Sequence, residues 1–285
     1  MILVFAKTGQ VAKELQKYKN IFALDRTQAN LMKPYMCSEA IVTYKPLAVI
    51  NAAAYTSVDK AEYEEDVATQ INSIAPVEMA KTCAKLNIPF VHISTDYVFD
   101  GKGNSSWKSS DATNPVNAYG RTKLKGEEGI ISSGAIYVIL RTSWIISSHG
   151  SNFLKTMLQL SKSRQKLNVV SDQFGGPTPA RDIARACKLI AQELINNPHK
   201  KGIYHLSGTP NVNWCEFANI IFKEAGLKTI ANPVLTTEYP TLSRRPYNSR
   251  LNCSSTLKNF NIFRPRWRDS LKLILKEFEL ENETS

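Results

Sequence analysis

The chain has 285 residues, 43% hydrophobic and 21% charged, which is enough apolar material for a large folded core and too much for a disordered segment. Its apolar runs stop far short of the ~20 residues of a membrane span, and its five cysteines form no CxxC or Cys/His cluster, which sets aside membrane, zinc and disulfide-framework classes in favour of a cytoplasmic protein with reduced thiols. The net charge of +11 is spread along the chain without a basic stripe carrying interleaved aromatics, so it fits steering of a doubly negative small molecule, such as a nucleotide diphosphate, and not nucleic-acid binding.

The first half alternates short apolar runs with amphipathic stretches, the pattern of a parallel sheet covered by helices. Ile2 to Phe5 reads as a buried strand and not a signal peptide, and a helix over Gln10 to Lys17 follows it across the turn that holds Gly9. Such a strand, turn and helix start can rest a dinucleotide pyrophosphate on its amides, although an ordinary βα turn reads the same way. A glycine-rich version would place glycine at positions 6, 9 and 12, and here only Gly9 is present, between Ala6 and Ala12. Asp25 ends a second strand, Ile21 to Leu24, where a carboxylate suits a ribose 2′-hydroxyl; Arg26 beside it suits a 2′-phosphate, and the pair leaves NADH and NADPH both open. A third strand, Ala48 to Asn51, runs into Ala52, Ala53 and Ala54 ahead of Tyr55 and Thr56, three small residues that fit either close approach to a cofactor or simple packing.

A helix is expected over Val67 to Leu86, a fourth strand over Phe90 to Ser94, a helix over Ala118 to Ile131 and a fifth strand over Ile136 to Leu140. Thr95 and Asp96 then fall at the carboxyl end of a strand, the edge where open α/β sheets bind ligands. Tyr119 and Lys123 stand four apart on one helix face, where an ammonium can lower a phenol's pKa from about 10 toward neutrality so that it passes a proton to a carbonyl oxygen as hydride arrives. Thr95, Tyr119 and Lys123 come in the order of a short-chain dehydrogenase site. Trp144, just past the fifth strand, suits a sugar wall or a core position equally.

From Ser151 onward the alternation gives way to Pro and Asn breaks. The expected organisation is therefore a Rossmann-type, doubly wound parallel α/β sheet over residues 1–150, with residues 151–285 forming mainly a smaller substrate-binding lobe and some segments returning to the Rossmann domain. The tail from Glu277 to Ser285 is expected to fray.

These residues, taken with longer strings, resemble the dTDP-4-dehydrorhamnose reductase family of extended short-chain dehydrogenases. The strings are Lys7-Thr-Gly-Gln-Val11, Asn51-Ala-Ala-Ala-Tyr-Thr-Ser-Val-Asp-Lys-Ala-Glu62, Ser94-Thr-Asp-Tyr-Val-Phe-Asp-Gly101, Tyr119-Gly-Arg-Thr-Lys-Leu-Lys-Gly-Glu127, Arg141-Thr-Ser-Trp144 and Arg245-Pro-Tyr-Asn-Ser-Arg-Leu251, and they cover nearly the whole chain. The resemblance implies NADPH- or NADH-dependent reduction of the 4-keto group of dTDP-4-dehydro-β-L-rhamnose to dTDP-L-rhamnose, for surface polysaccharide such as lipopolysaccharide O-antigen. It implies Tyr119 as proton donor, Lys123 as the residue that tunes it and holds the nicotinamide ribose, and Thr95 as the hydroxyl assisting at the carbonyl. It further implies Gly9, Gln10 and Val11 at the pyrophosphate, Asp25 at the adenosine ribose, Asn30 and Leu31 near adenine, and Ala54, Tyr55 and Thr56 along the cofactor's middle. Asp96 and Trp144 match positions that contact the sugar nucleotide. Some members dimerise around Mg²⁺; Glu14 matches one acidic ligand, but Arg181 stands where another would be, so a homodimer is allowed and the metal is not expected. A deoxytalose-forming reductase, or a binding subunit like the β subunit of methionine adenosyltransferase, are the alternatives.

Overall fold

The computed structural model describes residues 1–283. Its first half runs β1 (Ile2–Phe5), α1 (Gln10–Leu15), β2 (Ile21–Leu24), α2 (Pro34–Tyr44), β3 (Ala48–Asn51), α3 (Glu65–Thr69), α4 (Ala75–Lys85), β4 (Phe90–Thr95), α5 (Ala118–Ile131) and β5 (Tyr137–Thr142). The second half runs β6 (Ile145–Ile146), α6 (Phe153–Ser161), β7 (Lys166–Val170), β8 (Phe174–Gly175), β9 (Thr178–Pro179), α7 (Ala180–Asn196), β10 (Gly202–Leu206), β11 (Val212–Asn213), α8 (Trp214–Glu224), β12 (Ile230–Val234), β13 (Asn248–Ser249), α9 (Ser254–Phe260) and α10 (Trp267–Glu283).

The central sheet has six strands in the order β10-β5-β4-β3-β1-β2, and every pairing is parallel. This is the Rossmann-type, doubly wound fold. A strand covered on both faces must be apolar at every position, which is why β1 reads as an unbroken run. Its Ile2 and Val4 enter the layer under α1 and α7, while Leu3 and Phe5 enter the layer under α2 and α4. The strand order reverses between β1 and β3, so the carboxyl ends of those strands open a crevice for a ligand.

Two parts of the second half join this sheet. Strand β10 pairs with β5, and α7 packs against α1, its Ile183, Cys187, Ile190 and Leu194 buried at helical spacing. The remainder builds a second core around Leu154, Phe217, Ile221, Trp267 and Leu271, beside the small sheets β7-β12 and β11-β8-β13. The tail departs from the sequence expectation. Glu277 lies within α10 with its carboxylate 2.8 Å from Arg181, because that helix lays an apolar stripe on the second core. Thr284 and Ser285 lie outside the described residues.

Candidate active site

Two cavities meet along the carboxyl edge of the sheet. The first, of 620 Å³, is lined by Asp25, Arg26, Asn30, Leu31, Ala54 and Tyr55. The second, of 410 Å³, is lined by Gln10, Val11, Thr56, Thr95, Asp96, Tyr119, Lys123 and Trp144. Ala53 and Ala54 border both, so the pair forms one groove across the β1/β3 switch point.

The turn after β1 is built unusually. Ala6 adopts φ +89°, a left-handed conformation that glycine enters freely and alanine enters at a cost. Gly9, the residue before α1, has φ −69°, and a methyl there would meet nothing nearer than the Ala6 Cβ at 3.7 Å. The conformational demand therefore falls on the position that carries alanine. The Gln10 side chain is engaged across the groove, its Oε1 accepting from Ser147 at 2.7 Å and from Asn152 at 2.9 Å, which ties α1 to the start of the second lobe.

At the outer end, the Asp25 carboxylate accepts from the backbone and hydroxyl of Thr27, and that contact holds it below the usual carboxylate range. Lys7 stands 3.7 Å from it, and Arg26 is exposed at the rim of the cavity. Tyr55 is fixed at both ends. Its hydroxyl donates to Glu64 at 2.6 Å, and its backbone N–H and C=O are both satisfied by the side chain of Asn72. Asn72 sits in a π-helical turn, Gln70–Ile74, between α3 and α4, and its buried amide also donates to Thr122 of α5 at 3.1 Å. Sequence periodicity gave one continuous helix here and missed Asn72.

Helix α5, which carries Tyr119 and Lys123, is placed with little slack. Asn117 caps it by accepting from Gly120 N–H at 2.8 Å. Gly120 lets the helix approach the neighbouring loop, since a methyl there would stand 2.2 Å from the Tyr97 carbonyl oxygen. Near its other end, Glu127 accepts from Arg141 at 2.6 Å and from Ser94 at 2.5 Å, locking α5 to β4 and β5 through a buried ion pair. Tyr119 and Thr95 are thereby brought to the same cavity, where the Thr95 side chain acts to lower the phenol's pKa. The Thr95 hydroxyl donates to Asp96 at 3.2 Å.

One expectation is corrected. The sequence placed the Lys123 ammonium beside the Tyr119 phenol, lowering its pKa. In the structure Lys123 Nζ donates instead to the Ile93 carbonyl at 2.7 Å and lies 3.0 Å from His92 Nε2. Desolvation pushes the Tyr119 phenol up, the Asp96 carboxylate and Tyr97 add to that, and the Thr95 contact opposes it. Desolvation also lowers Lys123 to about 8. Spacing by four fixes which face two residues share, but a lysine stem is long enough to reach either way from that face. His92, a polar residue among Phe90, Val91 and Ile93 of β4, is the sequence signal for that contact.

Asp96 is buried and its carboxyl is raised to about 7, chiefly by desolvation. Trp144 is half-buried and at φ +49°, and its ring stacks on Trp214 at 3.4 Å between centroids and 10° between planes. Both rings line the inner cavity, and Trp144 also touches the second core, so the wall and core readings each hold part of the truth. Nothing in its sequence neighbourhood marked Trp214.

Among the described residues no group of three or more His, Cys, Asp and Glu side chains could hold a metal ion. Glu14 lies 2.9 Å from Lys17 and 3.2 Å from His149, while Arg181 pairs with Glu277. The five cysteines are free and buried.

Comparison with known proteins follows the same line. The family model described as the RmlD substrate binding domain matches residues 1–280. The chain is 40% identical to the dTDP-4-dehydrorhamnose reductase of Escherichia coli strain K12 over 290 residues, covering 97% of each. It is 38% identical to the spore coat polysaccharide biosynthesis protein SpsK of Bacillus subtilis, covering 97% of each. Among solved structures, a dTDP-4-dehydrorhamnose reductase from Clostridium acetobutylicum superposes with TM-score 0.90 at 34% identity, over 98% of this chain and 99% of that one. The Bacillus anthracis enzyme, solved in complex with NADP, gives 0.89 at 32% identity, over 97% and 98%.

Proposed function

The chain belongs to the RmlD substrate-binding-domain family, that of the dTDP-4-dehydrorhamnose reductases, and from this premise we propose that it is a cytoplasmic reductase converting dTDP-4-dehydro-β-L-rhamnose to dTDP-L-rhamnose with NADPH. The observation that carries the reading is the meeting of Thr95, Tyr119 and Lys123 at the inner end of a groove whose outer end suits a dinucleotide.

The residues fit that cofactor. The crevice lies at the strand-order switch, its floor is Ala53 and Ala54, and the cations Lys7 and Arg26 stand beside Asp25 where a 2′-phosphate would need them, which favours NADPH over NADH. Gly9, Gln10 and Val11 would hold the pyrophosphate, Asn30 and Leu31 the adenine, and Ala54, Tyr55 and Thr56 the middle of the molecule. When bound, the dinucleotide supplies hydride to the carbonyl carbon. Tyr119 gives its proton to the carbonyl oxygen, and its raised pKa keeps that proton in place until charge develops. Thr95 orients the phenol and faces the same oxygen. Asp96, Trp144 and Trp214 line the space left for the sugar and exclude water from it.

The test is to incubate the protein with NADPH and enzymatically prepared dTDP-4-dehydrorhamnose and to follow loss of reduced-cofactor absorbance. Consumption that depends on the sugar nucleotide supports the reading. None with both ligands present refutes it.

A further inference from the structure

Three side chains under the groove form a hydrogen-bond chain whose protons can be counted. Asn51, at the end of β3, accepts from the backbone N–H of Ala53 through Oδ1 at 3.0 Å. A backbone N–H can only donate, so this contact fixes which way the amide faces. Its Nδ2 then donates to His92 Nδ1 at 3.1 Å, across the Asn51–His92 register of β3 and β4. With Nδ1 accepting, a neutral His92 carries its proton on Nε2. That N–H points at Lys123 Nζ, 3.0 Å away. An ammonium has no lone pair and would oppose donor to donor. A neutral amine accepts from Nε2–H and still donates to the Ile93 carbonyl at 2.7 Å, satisfying every group. All three side chains are 1% exposed or less, so water does not relieve a mismatch.

We propose that His92, oriented by Asn51, is a positioning residue that holds Lys123 beneath the groove as a neutral amine in mildly alkaline solution, and that Lys123 then takes up one proton from solvent when it turns toward Tyr119 and the bound dinucleotide. The inference rests on the reductase reading for its second half only. The exchange moves a proton and forms no bond to carbon. Parked, the lysine leaves the Tyr119 phenol protonated; turned and charged, it lowers the cost of phenolate at the moment the proton leaves. The ionisable groups around the pair act weakly against this. Glu127, one turn along α5, favours the charged lysine, but its carboxylate is already clamped by Arg141 from β5. From β4 the facing group is His92 itself, which burial keeps uncharged, and Asn51 from β3 carries no charge.

The experiment uses the full chain without sugar nucleotide, so its outcome is independent of whether the protein reduces that substrate. Histidine ¹⁵N spectra report the tautomer of His92, and ¹³Cε-lysine spectra, assigned with Lys123→Met, report the titration of Lys123. We expect the Nε2–H tautomer, a Lys123 midpoint near 8, and a midpoint about one unit higher in His92→Gln, whose side-chain oxygen accepts from an ammonium. Adding NADP⁺ at pH 9 is expected to take up a substantial fraction of one proton in wild type, read by calorimetry in buffers of different ionisation heat, and distinctly less in His92→Gln. The Nδ1–H tautomer, or a Lys123 midpoint of ordinary lysine value, would overturn the proposal in wild type without recourse to any variant.

Discussion

Thr95, the last residue of β4, and Tyr119, in the first turn of α5, line the same inner cavity, and the Thr95 side chain acts against the burial that raises the Tyr119 phenol. General acid catalysis contributes about 10²- to 10⁴-fold, so Tyr119→Phe should lower turnover by that order while NADPH affinity changes little. Steady-state kinetics and a fluorescence titration separate the two effects. Turnover at the wild-type level would remove Tyr119 from the proton-donor role.

Ala6 is held at φ +89° in the turn between β1 and α1, at the edge of the outer cavity. Glycine enters this conformation without a Cβ penalty, so Ala6→Gly is expected to stabilise the fold by about 1 kcal/mol despite the looser unfolded chain, and to tighten NADPH binding. Urea unfolding and a cofactor titration check both. A variant that is less stable and binds no better would show that the surrounding turn already accommodates the methyl.

Trp144 stacks on Trp214 over Gly175, where even a methyl would come within 2.6 Å of the Trp144 ring. As a wall residue it should matter more to substrate than to folding. Trp144→Ala is expected to raise the KM for the sugar nucleotide about tenfold and to cost about 1–2 kcal/mol, below the ~3–5 kcal/mol of a fully buried tryptophan. Unfolding and kinetics on the same preparation decide it, since a large loss of stability with an unchanged KM assigns the ring to the core.

Asp96 gives a pH dependence of definite sign. Its carboxyl titrates near 7 in the folded chain against 3.8 ordinarily, so between those values the native state holds a proton that the unfolded state has lost. Its stabilising contribution is complete below 3.8 and drains away as pH rises to about 7. Asp96→Asn has nothing to ionise, so its stability relative to wild type should improve between pH 4 and pH 8, by at most about 4 kcal/mol. Equal differences at the two pH values would mean that Asp96 titrates in the ordinary range.

The sheet was the most legible part of the chain because strands buried on both faces cannot hide: β1, β2 and β3 fall where the apolar runs lie. Helix α7 has an equally regular stripe, Ile183, Cys187, Ile190 and Leu194, yet the Pro and Asn breaks around it left unnamed which segments of the second half return to the Rossmann domain. At the site, motif spacing brought Thr95, Tyr119 and Lys123 to one place, since strand ends and helix faces follow from periodicity. The direction of the Lys123 side chain did not follow, because it depends on His92 and Ile93 across the sheet. Asn72 and Trp214 were hidden for a related reason: a π-turn and a ring stack arise from tertiary contacts that no local pattern records.

The central claim is hydride transfer to the sugar carbon with a proton from Tyr119. It is tested most directly by supplying NADPH deuterated at the transferable position together with dTDP-4-dehydrorhamnose and locating the label by NMR. Deuterium at C4 of the hexose, with dTDP-L-rhamnose as product, is the expected result. Binding of both ligands with no deuterium reaching the sugar would contradict it.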